Sequence, residues 1–349
     1  MKIASSAALS PSCIFSPTSP QKVSQAVKTF TDNQCKFAIL GEVHSAVPNA
    51  AYANDCIPIV TEGLNELILT NENSDYLGPY HKSVVAGRYY PIGTGLLLRT
   101  GLSFGNEYGR AIDNVKTYEV VLDTGTIIHA NATSNPDLHL ALKRGGDNFG
   151  VITRYELITL DTQDWIWGGI VYYNQSQPSQ VDGVLYNYHV DIAVNDVKAH
   201  VLLRFGFKGT TNETIKFSPI FTTALKIAPP LLSNPGSTLT RTKHNAPDPG
   251  RRPRTGYKNI PGFYGLHFNM PVTPNAVQQG VRKGGNMLGM GVFPAFATFV
   301  KSMLSLAKKR SVRHPYIMWS YIGHDEKIKA CGEGNNIFLP RIKEDYDPI

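Results

Sequence analysis

Between residues 84 and 115 glycine recurs at Gly87, Gly93, Gly95, Gly101, Gly105 and Gly109, with few polar side chains between. Glycine at that density lets a backbone approach a ligand closely and presents N–H donors with no Cβ in the way, which suits a phosphate or a flat ring; it also suits a series of tight turns. No Walker sequence is present, and Gly93-Thr94-Gly95 does not continue into a dinucleotide fingerprint because position 98 is leucine. A second reactive stretch, Gly41-Glu42-Val43-His44-Ser45, brings an imidazole and a carboxylate into one short loop. Cys13, Cys35, Cys56 and Cys331 have no Cys-x-x-Cys spacing, so no metal site is expected. Arg241, Lys243, Arg251, Arg252, Arg254 and Lys258 lie among Pro, Gly and Asn without alternating aromatic rings. They read as a solvated loop rather than a nucleic-acid surface.

The elements that must position these residues follow from periodicity. Cys13 to Ser16 reads as a short strand, and Ser19 caps a helix with Pro20 at its first position and Val23, Ala26, Val27 and Phe30 on one face. Lys36 to Leu40 is a short buried strand, completing a β-α-β unit whose exit loop is Gly41 to Ser45. Ligands commonly bind at that carboxyl edge. The same unit brings Cys13 and Cys35 to neighbouring parallel strands, within reach of a disulfide in an oxidising compartment. Tyr118 to Leu122 and Thr126 to Ala130 form a hairpin around Asp123-Thr124-Gly125. Asn135-Pro136 starts a helix closed by Gly145-Gly146, and Val151 to Leu160 is a strand. Trp167 to Tyr173, Ala199 to Phe207 and Phe263 to Met270 read as longer antiparallel strands, and Phe296 to Ala307 as a helix that packs in a core.

The chain has 349 residues, enough for two domains with a substantial core, and no apolar run reaches the roughly 18 residues of a membrane span. With 42% hydrophobic and 17% charged residues it is an ordinary folding composition, not a disordered one. The net charge of +7 is uneven: residues 1–160 are slightly acidic, and Lys and Arg outnumber Asp and Glu after them. This supports two regions of different character. Sequons at Asn131, Asn174 and Asn212 permit secretion without showing it, and the segment after Lys2 is too polar and short for the apolar core of a signal peptide.

In their order along the chain these motifs resemble one family. The matching residues are Phe37-Ala38-Ile39-Leu40-Gly41-Glu42-Val43-His44-Ser45 with Pro48, Pro91-Ile92-Gly93-Thr94-Gly95, Gly101-Leu102-Ser103-Phe104, Tyr108-Gly109 and Asp113-Asn114-Val115. They continue through Tyr118 to Leu122, Asn135-Pro136-Asp137-Leu138 and Leu142-Lys143-Arg144-Gly145-Gly146-Asp147-Asn148-Phe149-Gly150-Val151. The series is similar to fungal FAD-linked oxidases of the berberine-bridge-like group, which carry an FAD-binding domain of the p-cresol-methylhydroxylase type. The resemblance implies an α+β fold: a two-part FAD-binding domain over 11–160, a substrate domain with an antiparallel sheet over 161–310, and a return to the FAD domain over 311–349. It implies FAD held by Gly41, Glu42, Val43, His44, Ser45, Gly93, Thr94, Gly95, Gly101, Ser103, Tyr108, Gly109, Asp113, Asn114, Gly145, Gly146, Asn148, Gly150 and Val151. His44 takes the family position that bonds covalently to the flavin 8α-methyl group, while Tyr89 stands where a second, cysteine-linked bond forms in other members. Partners implied are a small organic substrate and O₂, with no nucleic acid and no membrane, in an extracellular or secretory setting.

The same comparison shows departures. Leu40-Gly41-Glu42-Val43 replaces the family's Arg-Gly-Gly-Gly, Arg99-Thr100 replaces glycines before Gly101, and Arg144 and Asp147 interrupt a later glycine run. A strand-and-turn segment is missing between Asn73 and Tyr76, and Ser320 replaces Asn in the terminal Met318-Trp319-Ser320-Tyr321 motif. Two functions therefore compete: an oxidase that passes hydride from substrate to flavin, and a degenerate member that keeps the architecture without FAD. A third is a secreted binding protein using the basic loop. No catalytic base is assigned; Tyr264, His267 and Tyr321 are the residues considered for it.

Overall fold

The computed structural model describes residues 11, 13–41, 56–69, 81–87, 92–98, 101, 103–146, 148–161, 167–173, 193–201, 203–208, 213–222, 264–269, 272–286 and 345–346. Two compact units are distinguished, one drawn from Met1–Asp161, Val277–Gly291 and Pro315–Ile349, the other from Thr162–Ala276 and Val292–His314. The Pro-rich stretch 229–253, the basic residues within 241–258 and the expected helix 296–307 lie outside the described residues.

In the first unit helix α1, Pro20–Asp32, begins as its sequence dictates. Ser19 is extended, its hydroxyl oxygen accepts from the Lys22 N–H at 3.3 Å, and Pro20 occupies the first turn where no N–H is needed. Val23, Ala26 and Val27 are buried. Strand β1, Phe37–Leu40, pairs in parallel with β2, Ile57–Val60.

The expected first strand is reduced to one bridging residue, Phe15, and it pairs with Ile59 of β2 rather than with β1. The cause is β2 itself. Ile57 N–H donates toward β1, to Lys36 O, while Val60 N–H donates to Phe15 O on the other side. By the same alternation Pro58 faces the Phe15 side and has no N–H to extend that ladder. Cys13 and Cys35 therefore flank strands separated by a third, about 10 Å apart at usual strand spacing. That exceeds the reach of a disulfide, and both are exposed free thiols. The expected bridge does not form.

A three-stranded antiparallel sheet, in the order β5-β4-β6, is built from β4, Val115–Val121, β5, Ile127–Asn131, and β6, Val151–Leu157. Asp123-Thr124-Gly125 turns the hairpin, with Leu122 N–H donating to Thr126 O at 2.9 Å. The short helix α2, Gly105–Tyr108, precedes this sheet, and α3, Pro136–Gly145, covers it with buried Leu138, Ala141 and Leu142. These side chains join Tyr118, Val120, Ala130, Phe149 and Ile152 in the main core. The expected strand from Val151 to Leu160 breaks at Ile158, whose N–H goes to Asn114 O at 2.9 Å. Its continuation β7, Thr159–Asp161, pairs instead with β3, Lys82–Val84, an association closed by a Lys82–Asp161 ion pair. Tyr346 packs on the main core and donates its hydroxyl to Asp137 Oδ1 at 2.8 Å.

The second unit holds an antiparallel sheet of β8, Trp167–Tyr173, β9, Ala199–Val201, β10, Leu203–Lys208, β11, Glu213–Thr222, and β12, Tyr264–Asn269. Strand β11 was not expected. It pairs with β10 through Phe217 and with β9 from Ile220, so Pro219 falls in the gap between those partners. Helix α4, Pro274–Arg282, follows β12, and from Val277 onward it belongs to the first unit. Among the described residues no helix is long and apolar enough to cross a membrane, and no cluster of His, Cys, Asp and Glu is arranged to hold a metal ion.

Candidate functional site

Gly41 is an exposed bend at the carboxyl end of β1. β2 ends at the same edge, where the Thr61 hydroxyl donates to Leu40 O at 3.4 Å. The loop leaving β1 therefore starts where parallel strands commonly present a ligand edge. Glu42, Val43, His44 and Ser45 lie outside the described residues, as do Tyr89, Arg99, Thr100, Asp147 and Tyr321.

The second glycine stretch is anchored by its apolar residues. A 3-10 turn over Thr94–Leu98 buries Leu97 and Leu98, and the Tyr118 hydroxyl donates to Leu97 O at 3.1 Å. Gly93, Thr94 and Gly95 open this turn, and a Cβ on Gly95 would meet nothing within 4 Å. No packing demands glycine there, and the backbone face beside it is open. Gly101 is the opposite case, with φ at +68° and a Cβ position 2.4 Å from the Ala111 Cβ, so glycine is required by the fold itself. Ser103 Oγ accepts from Ala86 N–H at 2.8 Å.

The third stretch meets the second. Gly145 ends α3, and Gly146, which caps it, donates its N–H to Leu98 O at 3.4 Å. Asn148 is exposed, Gly150 lies against Val121 O, and Val151 pairs with Val121. Val151 packs with Val23, Val27 and Ile59, which sets the start of β6 against α1 and β2. Of the three stretches, the second and third are thus brought together. The loop residues of the first fall outside the described residues.

Tyr108, Gly109, Asp113 and Asn114 form the edge of a buried polar group. Asp113 and Asn114 are each 1% exposed. Asp113 Oδ2 accepts from Arg110 N–H at 2.8 Å and Oδ1 from the Asn286 amide at 2.5 Å. Asn114 donates to Tyr108 O and Arg110 O at 3.1 and 2.7 Å. Lys283 then donates to Tyr108 O at 2.9 Å and to Asn114 Oδ1 at 2.6 Å. A Cβ on Gly280 would lie 3.0 Å from Asp113 Oδ1, so α4 can approach this closely only with glycine there. Lys143, buried on α3, lies within electrostatic range of the same carboxylate.

The electrostatics follow from burial. Desolvation lowers both Lys143 and Lys283, and Asp113 opposes that fall in each. His139 is pushed down to about 4, chiefly by burial and then by Lys143, so it is neutral and its ring nitrogen sits 3.3 Å from Val115 O. Tyr108 is pushed up to about 12 by burial and by Glu107. The sequence reading missed Lys283 and Asn286, which stand about 170 residues from their partners with only the run Arg282-Lys283-Gly284-Gly285-Asn286 to mark them.

No family profile matches the chain. An FAD-dependent monooxygenase of Cochliobolus heterostrophus is 26% identical over 429 aligned positions, covering 97% of this chain and 82% of that protein. The alignment is longer than the 349-residue chain, so that relative carries segments absent here. An uncharacterised FAD-linked oxidoreductase of Arthroderma benhamiae is 38% identical over 187 positions, 48% of this chain and 37% of the relative. Among solved structures, 6-hydroxy-D-nicotine oxidase from Arthrobacter nicotinovorans superposes with a TM-score of 0.64 at 14% identity, over 99% of this chain and 92% of that one. A berberine-bridge-like protein of Physcomitrella patens gives 0.65 at 14% identity over 97% and 89%. At these identities the structures show a shared fold of mixed α and β content.

Proposed function

We propose that this chain, a homologue of fungal FAD-linked oxidoreductases, is itself an FAD-dependent oxidoreductase acting on a small organic substrate. The observation that carries the reading is the meeting of two glycine stretches at Leu98 and Gly146, with the backbone at Gly95 left open, in a chain aligned almost end to end with an FAD-dependent relative. An open, Cβ-free backbone suits a large flat cofactor with phosphates, so the described residues fit FAD. Gly41 to Ser45, Gly93 to Gly95 and Gly145 to Val151 would hold it, with His44 as its covalent anchor. Gly101, Ser103, Tyr108, Gly109, Asp113 and Asn114 support that surface.

When bound, FAD supplies the hydride acceptor, and O₂ is the acceptor proposed for its reoxidation. The protein's own work is to orient substrate, keep water out and take a proton. The base belongs to the substrate domain or the C-terminal return; Tyr264 and His267, two and five residues into the 263–270 segment, lie on β12. The proposed division is an FAD domain over 11–160, a substrate domain over 161–310 from which Val277–Gly291 joins the first unit, and a return over 311–349.

A second reading is a degenerate member without FAD. Glu42 and Arg99 favour it, since each stands where the family presents glycine backbone donors, as do Arg144, which interrupts a later glycine run, and the segments this chain lacks in the alignment. An equilibrium titration of FAD into the purified protein, followed by flavin fluorescence, separates the two. Saturable one-to-one binding supports the oxidoreductase, and no saturable binding supports the degenerate member.

A further inference from the structure

The buried group around Asp113 is linked to both glycine stretches. Ala111 N–H, two residues before Asp113, donates to Gly101 O at 3.0 Å, and a Cβ on Gly101 would meet both Ala111 and Leu96, so the turn at Thr94–Leu98 rests on this segment. Lys143, 3% exposed, stands three residues before Gly146, whose N–H holds Leu98. The third part comes from far along the chain: Lys283 and Asn286 close the group by bonding Tyr108 O, Asn114 and Asp113. A buried charge-assisted network of this kind selects one arrangement, because removing a member leaves others buried without compensation.

Resting on the FAD reading above, we propose that Lys283 is a positioning residue for the cofactor surface, setting the Tyr108–Asn114 segment and through it the Gly93–Leu98 and Gly145–Gly146 backbones. Lys283 does not touch the cofactor. It fixes the peptides that do, so its loss loosens FAD without removing a contact to it. An ammonium at this point donates to a main-chain carbonyl and a side-chain carbonyl at once, and arginine retains both donors.

The experiment titrates FAD into the full chain and follows flavin fluorescence, with the visible spectrum of the bound flavin and the thermal melt recorded alongside. Four proteins are compared: the unaltered chain, Lys283→Met, Lys283→Arg and Val201→Ala, the last trimming a buried side chain of the second unit. Lys283→Met is expected to weaken FAD by about tenfold or more and to shift the bound spectrum toward that of free flavin. Lys283→Arg recovers most of the loss, and Val201→Ala lowers the melt with FAD affinity retained. If Lys283→Met does not fold, Asn286→Ala, which leaves both lysines and Asp113 in place, is expected to weaken FAD in the same direction. Unchanged affinity in the Lys283 and Asn286 variants overturns the inference, as does an equal loss in Val201→Ala. No saturable binding to the unaltered chain would instead overturn the cofactor reading on which the inference stands.

Discussion

His139 shows how a residue's surroundings set its chemistry. Its folded value of about 4 lies below the ordinary 6.5, so the neutral ring is favoured in the native state. The stability this represents is fully present above about pH 6.5, is lost as pH falls toward 4, and amounts to at most about 3 kcal/mol. Unfolding by urea at pH 7.5 and pH 4.5 should show that loss, and His139→Gln, which cannot protonate, should flatten it; an unchanged pH dependence in the variant would place the effect elsewhere. His44 carries a separate prediction. If FAD is bound, acid-denatured protein retains flavin on a gel and His44→Ala releases it, whereas retention in the variant would mean that another side chain forms the bond. The motif around Asp113 and Asn114 was legible in the sequence, but what those side chains do was not. Their partners, Lys283 and Asn286, belong to a turn whose composition says nothing about where it docks.

At the scale of elements, local signals were reliable where one physical rule dominated. Ser19-Pro20 and Gly145-Gly146 bound their helices because capping is decided within a few residues. β2 and β11 escaped because each contains a proline, which ordinarily argues against a paired strand. Pro58 and Pro219 are accommodated only because each falls where a neighbouring ladder is incomplete, a fact of tertiary pairing. The disulfide expectation failed for the same reason, since the strand inserted between its two halves was β2. Gly101 tests the account of the glycine stretches. Gly101→Ala places a Cβ within 2.4 Å of Ala111 at positive φ and should cost about 2 kcal/mol or more in chemical denaturation, while Gly95→Ala, with open space above it, should cost about 1 or less. Equal costs would show that the two glycines do not divide into fold-supporting and surface-presenting roles.

On the proposed reading, the whole chain carries an FAD surface weakened by its own substitutions. A carboxylate such as Glu42 placed 4 Å from a pyrophosphate costs about 4 kcal/mol at an effective dielectric near 20, close to a thousandfold in affinity, unless Arg99 or Arg144 offsets it. The direct measurement is the FAD affinity and stoichiometry of the purified chain beside a variant with glycine restored at positions 42, 43, 99 and 100. Saturable one-to-one binding is expected, weak in the unaltered chain and tighter by about a hundredfold or more in the variant. Stoichiometric FAD already tight in the unaltered chain would contradict the weakening, and absence of binding by either protein would contradict the claim that this chain is an FAD-dependent enzyme at all.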